Sequence, residues 1–192
     1  MLLGQISEIK TGLVLTRKKA KIKHEIKKVY NLITVKNVDD SGLFNNEFFD
    51  AFESNEILES IYFTQKDDIL IRLSFPYTAV YINEEHKGLL VPSYFAIIKL
   101  KNDIFIPEYV AWYLNTEKVK KELLKSQTGT IIPSTNKNVL NDICIQQLSK
   151  KNQQDILNLR NLYIKEQNLI KELAKEKDAY YSAIIKKILH KN

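Results

Sequence analysis

LSKKNQQDILNLRNLYIKEQNLIKELAKEKDAYYSAIIKKILHKN, from Leu148 to Asn192, holds no Gly and no Pro and is dense in Leu, Ile, Lys, Glu, Gln and Ala. That composition favours one long helix, because nothing in it breaks the backbone ladder and most of its side chains lose little freedom there. Ile156, Leu159, Tyr163, Ile170, Leu173, Tyr180, Ile184 and Ile188 recur at steps of three, four or seven, so they line one face while Lys and Glu fill the rest. The pattern is close to heptad-like, with Glu166 and Lys177 as polar interruptions. About forty residues at ~1.5 Å each make a rod of roughly 60 Å, longer than one small domain needs to close its core. The sequence therefore predicts an assembly and spacing device, with these eight apolar residues as the dimer interface of an inter-subunit coiled coil. A terminal helix folded back on its own domain is the bland alternative, and the length and unbroken stripe argue against it. Residues 1–147 are then a compact head and 148–192 a helical dimerisation and spacer region.

The chain has 192 residues, 44% hydrophobic and 27% charged, which suits one globular head plus the helix. A single Cys, Cys144 in the apolar run DICIQQL, excludes a disulfide framework and a thiolate metal site, fits a reducing cytoplasm, and reads as a buried, inert thiol. A nucleophilic role would need a His partner, and His24, His86 and His190 sit in Lys- or Glu-rich, solvent-like contexts. MLLGQISEIKTG is not a secretory signal, and no apolar run approaches a membrane span; a soluble, cytoplasmic protein with no membrane partner is expected. The net charge of +6 suits a polyanionic partner. Its distribution says more. Lys10, Arg17, Lys18, Lys19, Lys21, Lys23, Lys27 and Lys28 concentrate the basic charge, whereas Asp39 to Asp68 is rich in Asp and Glu, which gives the head a preferred face for phosphate.

Along the head, Leu3, Ile6 and Ile9 make a short amphipathic turn that Thr11-Gly12 breaks, and a Lys-rich loop follows. VYNLITVKNV reads as a strand ending at Asp39-Asp40-Ser41-Gly42, while LFNNEFFDAFESNEILESIYF has no clear period. Ile69, Ile71 and Leu73 give a period-2 face, Val80 and Ile82 a second strand, and Phe95, Ile97, Ile98 and Leu100 a third, with turns at Ser74-Phe75-Pro76-Tyr77 and Glu85-His86-Lys87-Gly88. These predict an antiparallel set. Pro107 opens a helix through Leu123 that slips its stripe, and so bends or restarts, near Asn115-Thr116. Gly129 is placed to cap it, a helical turn begins near Ser134, and Ile143 to Ile145 reads as a last strand.

The order of these signals resembles the target-recognition domains of specificity subunits of Type I restriction-modification systems. The matching pieces are LGQISEIKTG, YNLITVKNVDDSG, DDILIRLS with PYTAVYI and GLLVPSYFAIIKL, PEYVAWYLNT, and QTGTIIPSTNKNVLNDICI before a long helix. The resemblance implies an α+β fold, an antiparallel-strand-rich recognition domain followed by one long C-terminal helix. In that family a full-length subunit carries two such domains, each followed by a helix, and the helices pack antiparallel. This chain looks like a half-length form, and two copies about a two-fold axis would read a bipartite, palindromic duplex. It would carry no cofactor and catalyse nothing itself; a DNA methyltransferase (modification) subunit and a restriction subunit would supply the chemistry. Two departures stand out: Asp67 occupies a position that is commonly Gly, a turn Asp tolerates, and IQQLSKKNQQDI replaces a Pro-rich junction.

As a DNA reader, the head would use Arg17, Lys18, Lys19, Lys21 and Lys137 on phosphates, and Thr11, Tyr77, Thr78, Tyr94, Thr130, Ser134 and Asn136 on bases or grooves. Against this stand a solvated Lys-rich loop, strand-end packing for the Tyr residues, and turn or cap chemistry for Thr, Ser and Asn. Arg72, inside an apolar strand, is expected to pair with a carboxylate. A competing enzyme reading takes Asp68, Glu85 and Lys87 as a Mg²⁺-dependent nuclease site, although the spacing is unspecific and Glu85 and Lys87 lie in a hairpin turn. A third reading is a helical interaction module that does not bind DNA.

Overall fold

Four antiparallel strands organise the head: β1 (Ser7–Thr11), β4 (Ile69–Arg72), β5 (Ala79–Tyr81) and β6 (Phe95–Leu100), in the order β1-β6-β4-β5. The structure, a computed structural model, describes residues 1–45, 47–126 and 135–190. A separate ribbon pairs β2 (Lys28–Leu32) with β3 (Asp50–Ser54). β3 falls in the stretch without a clear period, because only Phe52 and Ser54 of its five side chains are buried. Expected alternation also fails in β4, where Ile69, Leu70 and Ile71 are all buried. Leu70, Val80 and Ile97 join a cluster with Ile33, Leu89 and Val91 on one face of the sheet. Helix α2 (Pro107–Leu114) packs on β4 and β5, so the sheet is covered on both sides and its central strand reads as a continuous apolar run. A second cluster, Leu13, Tyr30, Leu32, Phe52, Leu58 and Leu90, seats the ribbon.

At the chain start, helix α1 (Leu3–Ile6) gives way to β1, so Ile9 belongs to a strand and not to an amphipathic turn. The restart predicted near Asn115-Thr116 is present: α2 ends at Leu114 and α3 spans Glu117–Lys125, burying Val119 and Leu123. The Asn115 carboxamide does the work at that break. Its Oδ1 accepts the Ala79 N–H (2.9 Å), and its Nδ2 donates to the carbonyls of Ala79 (2.6 Å) and Ala111 (3.0 Å). It thereby satisfies both outward backbone groups of Ala79 on the outer edge of β5. Gly42, at φ 76°, fits under this clamp because a Cβ there would lie 2.4 Å from the Ala79 carbonyl oxygen.

Helix α4 (Lys137–Asp142) is capped by Asn136. Ile143 to Ile145 is extended but forms only an isolated bridge, Leu2 with Cys144, instead of the strand expected there. Ile143 and Ile145 are buried while Cys144 between them is exposed, the reverse of the buried thiol expected, since an extended segment turns alternate side chains outward. His86 is likewise not solvent-like. Its ring stacks on Phe44 at 3.7 Å and 5°, and Nδ1 lies 2.6 Å from Asn83 Oδ1. Asp67 holds the left-handed turn expected of it, at φ 69°, and accepts the Tyr81 hydroxyl at 2.8 Å. Burial and that carboxylate push the Tyr81 pKa up to about 12.

The chain divides into two compact units, Met1–Lys150 and Lys151–Asn192. The second is made of helix α5 (Lys150–Leu189, 40 residues). Its apolar stripe is open to solvent, with Leu159 69%, Tyr180 65% and Ile188 63% exposed. Among the described residues no helix is long and apolar enough to cross a membrane.

Asn115→Ala should strand the N–H and carbonyl of Ala79 and cost about 2–3 kcal/mol in urea denaturation of the intact chain. A second expectation concerns His86, whose imidazole pKa burial pushes below its ordinary value, against an opposing effect of Glu85. As pH falls through about 6.5 the unfolded chain takes up that proton first, so stability present at neutral pH is progressively lost toward the lower folded-state value. Urea midpoints at about pH 7.5 and 5.5 should show this fall, and His86→Phe, which keeps the stack, should flatten it.

Candidate nucleic-acid interface

The strand register gathers one set of loops at one end of the four-stranded sheet. Thr11 ends β1 opposite Ala96, Arg72 ends β4 opposite Phe95, and Ala79 opens β5 opposite Ile71. The 73–78 loop therefore emerges beside Tyr94 and the end of β1. Leu73 N–H donates to the Tyr94 carbonyl (2.9 Å), and Thr135 N–H donates to the Leu73 carbonyl (2.6 Å), which fastens the start of α4 to the same loop. Gly12 makes the turn out of β1, where a Cβ would lie 2.4 Å from the carbonyl oxygens of Val91 and Pro92.

Four of the sequence-predicted residues meet at this end: Thr11, Tyr94, Asn136 and Lys137, all exposed. Tyr94 leans on Phe95, and its phenol pKa is raised by burial, then by Asp50, against Arg72. Asn136 spends its Oδ1 capping α4 through the N–H groups of Asn138 (2.9 Å) and Val139 (3.2 Å), which leaves its NH₂ as a donor. Tyr77 and Thr78 are withdrawn from a groove-facing set. Both are buried, Tyr77 completely, because the left-handed conformation at Tyr77 (φ 55°) turns its ring inward. Thr130 and Ser134 lie outside the described residues.

Sequence reasoning missed Phe75, which stands 59% exposed at the crest of the 73–78 loop. The signal for it is its place before Pro76 in a turn between two strands, the same turn that offers Tyr77. Arg72 was placed on a carboxylate, yet its Nε donates to Ser74 Oγ at 2.9 Å, so the guanidinium stays at this end of the sheet.

The basic segment forms a second, neighbouring group. Leu15–Arg17 makes one tight turn, after which Ala20 N–H donates to the Glu53 carbonyl and Asn55 N–H to the Lys18 carbonyl (both 2.9 Å), pinning 18–20 along the end of β3. From Thr11 to Arg17 the chain can span at most about 20 Å. Arg17, Lys19 and Lys21 are exposed, but Lys18 pairs with Glu56 at 2.6 Å. A phosphate must displace that carboxylate before Lys18 can serve it.

The opposite end of the sheet is a cleft of about 500 Å³ in which Asp67, Asp68 and Asp103 are interleaved with Lys66, Lys99 and Lys150. Lys99 pairs with Asp68 (3.4 Å) and Lys150 with Asp103 (3.2 Å). The Asp103 carboxyl is held below the usual range by the Lys150 hydrogen bond and charge, while burial pushes Asp68 up. Balanced charges of this kind give no field for a polyanion. The nuclease trio does not assemble here. Asp68 accepts the Gln65 N–H (2.8 Å), Glu85 and Lys87 are not among the cleft's lining residues, and Lys87 pairs with Glu84 (3.3 Å). Among the described residues no group of three or more His, Cys, Asp or Glu is placed to hold a metal ion.

Neither a protein-family model nor a curated protein sequence matches the chain. Solved structures do. Over 91% of its length, with a TM-score of 0.69 and 12% identity, it resembles a chain from a structure of the type I R-M system that concerns complex assembly and conformational transition. Over 92%, with a TM-score of 0.69 and 14% identity, it resembles the HsdS subunit from Thermoanaerobacter tengcongensis. The chain spans 44% of the length of each of these neighbours. The fold, an antiparallel-sheet head followed by a long helix, is that of HsdS subunits.

If the basic segment contacts phosphate, Arg17→Ala, Lys19→Ala and Lys21→Ala should each reduce the slope of log affinity against log salt by about one unit. Lys18→Ala should change it less, and Glu56→Gln, which frees Lys18, should tighten binding to any duplex. A salt titration by fluorescence anisotropy reads both.

Proposed function

We propose that the chain is a sequence-specific DNA-binding specificity subunit of a Type I restriction-modification system, with residues 1–147 as the target-recognition domain and 148–192 as the dimerisation and spacer region. Two copies, joined through the helix, read a bipartite palindromic target and recruit a methyltransferase (modification) subunit and a restriction subunit. The chain itself is not an enzyme. Methyl transfer from S-adenosylmethionine and ATP-driven cleavage belong to those partners, and the assembly works in the cytoplasm. The observation that carries this reading is the shared fold with HsdS subunits along more than nine-tenths of the chain.

The head's geometry supports the same reading. Arg17, Lys19, Lys21 and Lys137 present cations that position the domain on the backbone, and they carry no sequence information. Reading falls to Thr11, Tyr94 and the Asn136 NH₂, joined by the Arg72 guanidinium, whose fork suits paired acceptors on a guanine edge. Phe75, an exposed ring on a loop crest, is shaped to stack on or wedge beside a base.

Co-expression with a candidate modification subunit, followed by genome-wide mapping of methylated bases, tests the whole reading. A bipartite motif with two inverted, identical halves is expected. Absence of methylation, or one contiguous asymmetric motif, would remove it.

A further inference from the structure

In heptad terms α5 has two apolar series seven residues apart. Ile156, Tyr163, Ile170, Lys177 and Ile184 form one, and Leu159, Glu166, Leu173, Tyr180 and Lys187 the other. Between Ile156 and Ile184 each series carries a single charge, a base in the first and an acid in the second, and Lys187 adds a second charge at the far end, where it faces Ile156 at the rim of the register described below. Glu166 and Lys177 are both exposed in the single chain, as are the apolar residues around them. A partner helix that covers this stripe must cover the two charges as well. The arrangement of those charges decides which partner, which direction and which register.

A parallel, in-register copy sets Lys177 against Lys177, Glu166 against Glu166 and, at the end, Lys187 against Lys187, three like-charge layers in an otherwise apolar seam. An antiparallel copy does the opposite in one register only. When positions summing to 343 face each other, Ile170 meets Leu173, Tyr163 meets Tyr180, Leu159 meets Ile184, and Glu166 meets Lys177 of the second copy. Every layer then joins one member of each series, as antiparallel packing requires. The two-fold axis gives the Glu166–Lys177 pair twice. Sliding by one heptad either way sets Lys177 against Leu159 or Leu173 and Glu166 against Ile170 or Ile184, leaving both charges covered and unpaired. The favoured register also overlaps almost the whole of Lys150–Leu189, from position 154 onward.

We propose that α5 docks a second copy of this chain antiparallel, in the register that pairs Glu166 with the second copy's Lys177 on either side of the two-fold axis. This rests on the dimerisation advanced above and adds its register and the residues that choose it. The apolar layers supply the attraction. The two charged layers supply the choice among registers, because in every other alignment they are a penalty.

The test uses the full chain. Sedimentation equilibrium should find a dimer whose dissociation constant rises by about tenfold or more in Glu166→Lys or Lys177→Glu, each creating two like-charge layers, and returns to within about threefold of the original in the double exchange. In a Cys144→Ser background, Tyr163→Cys and Tyr180→Cys chains treated with a short bismaleimide should cross-link when mixed and not when alone, because each is about 25 Å from its own copy in this register. A wild-type chain that stays monomeric overturns the proposal. So does a double exchange as weak as the two single changes combined, or cross-linking within either single variant. A dimer of the stated register that leaves duplex DNA unbound would instead defeat the DNA-reading role and leave this inference standing. A symmetric methylated motif from a dimer indifferent to the charge exchange would do the reverse.

Discussion

Among the described residues no strand pairs with the outer edge of β5, and the way that edge is met sets much of the head. An edge strand offers unmet N–H and carbonyl groups to solvent or to other chains. Here one carboxamide, Asn115, takes both groups of Ala79, and it can do so because the helix after Pro107 breaks at that residue. Gly42 sits under the same clamp, tying the turn after the ribbon's first strand to the sheet edge. With Ala79 held, the 73–78 loop has a fixed base on β5 to match its fixed base on β4. The exposed ring of Phe75 therefore stands on a braced loop, beside the half-buried guanidinium of Arg72 at the end of β4. Precision at a groove-facing loop depends on such rigid support.

The two ends of the sheet differ in how they use charge. At one end three carboxylates and three ammonium groups interleave and neutralise one another, and at least two ion pairs are made. At the other end, and along the neighbouring ribbon, Arg17, Lys19, Lys21 and Lys137 project into solvent. The net charge of +6 says little by itself. The mixed end therefore presents little net field, whereas the other end presents exposed cations, the arrangement a polyanion would favour. Glu56 tempers this end. It neutralises Lys18 by a 2.6 Å ion pair, so that cation adds less to the positive field than Arg17, Lys19 or Lys21.

Much of the fold was legible because its strongest signals were local. β-branched runs gave the central strands, Pro107 and the slip between Leu114 and Val119 gave a broken helix, and the 3.6-residue period gave α5. What escaped was set by packing at a distance. β3 is a strand because Lys28–Leu32 pairs with it, not because Asp50–Ser54 favours one. His86 looked solvated among Glu and Lys, and only the fold brings Phe44 against its ring. Of the residues that the sequence offers for DNA contact, Thr11, Tyr94, Asn136 and Lys137 are exposed at one end of the sheet, whereas Tyr77 and Thr78 are buried. Polar and aromatic residues near Gly and Pro were chosen, but whether Tyr77 or Phe75 faces out depends on one φ angle that the residues around Pro76 do not announce.

The same division of labour appears in α5. Its apolar stripe is broad and repetitive, and repetition is a poor instrument for specifying alignment, since sliding one helix by seven residues exchanges one apolar contact for another of nearly equal worth. Tyr163 and Tyr180 add little discrimination, because an aromatic ring packs acceptably against Ile or Leu. Two charges in an apolar seam change this. Their contribution to total stability is small or even unfavourable once desolvation is counted, yet the difference between meeting an opposite charge and meeting a leucine is large. In the dimer proposed above, that difference would select one register where extra attraction would not. A slip of one heptad in that proposed pair would shift one helix by about 10 Å against the other, a change the two charged layers would resist and the apolar layers would not.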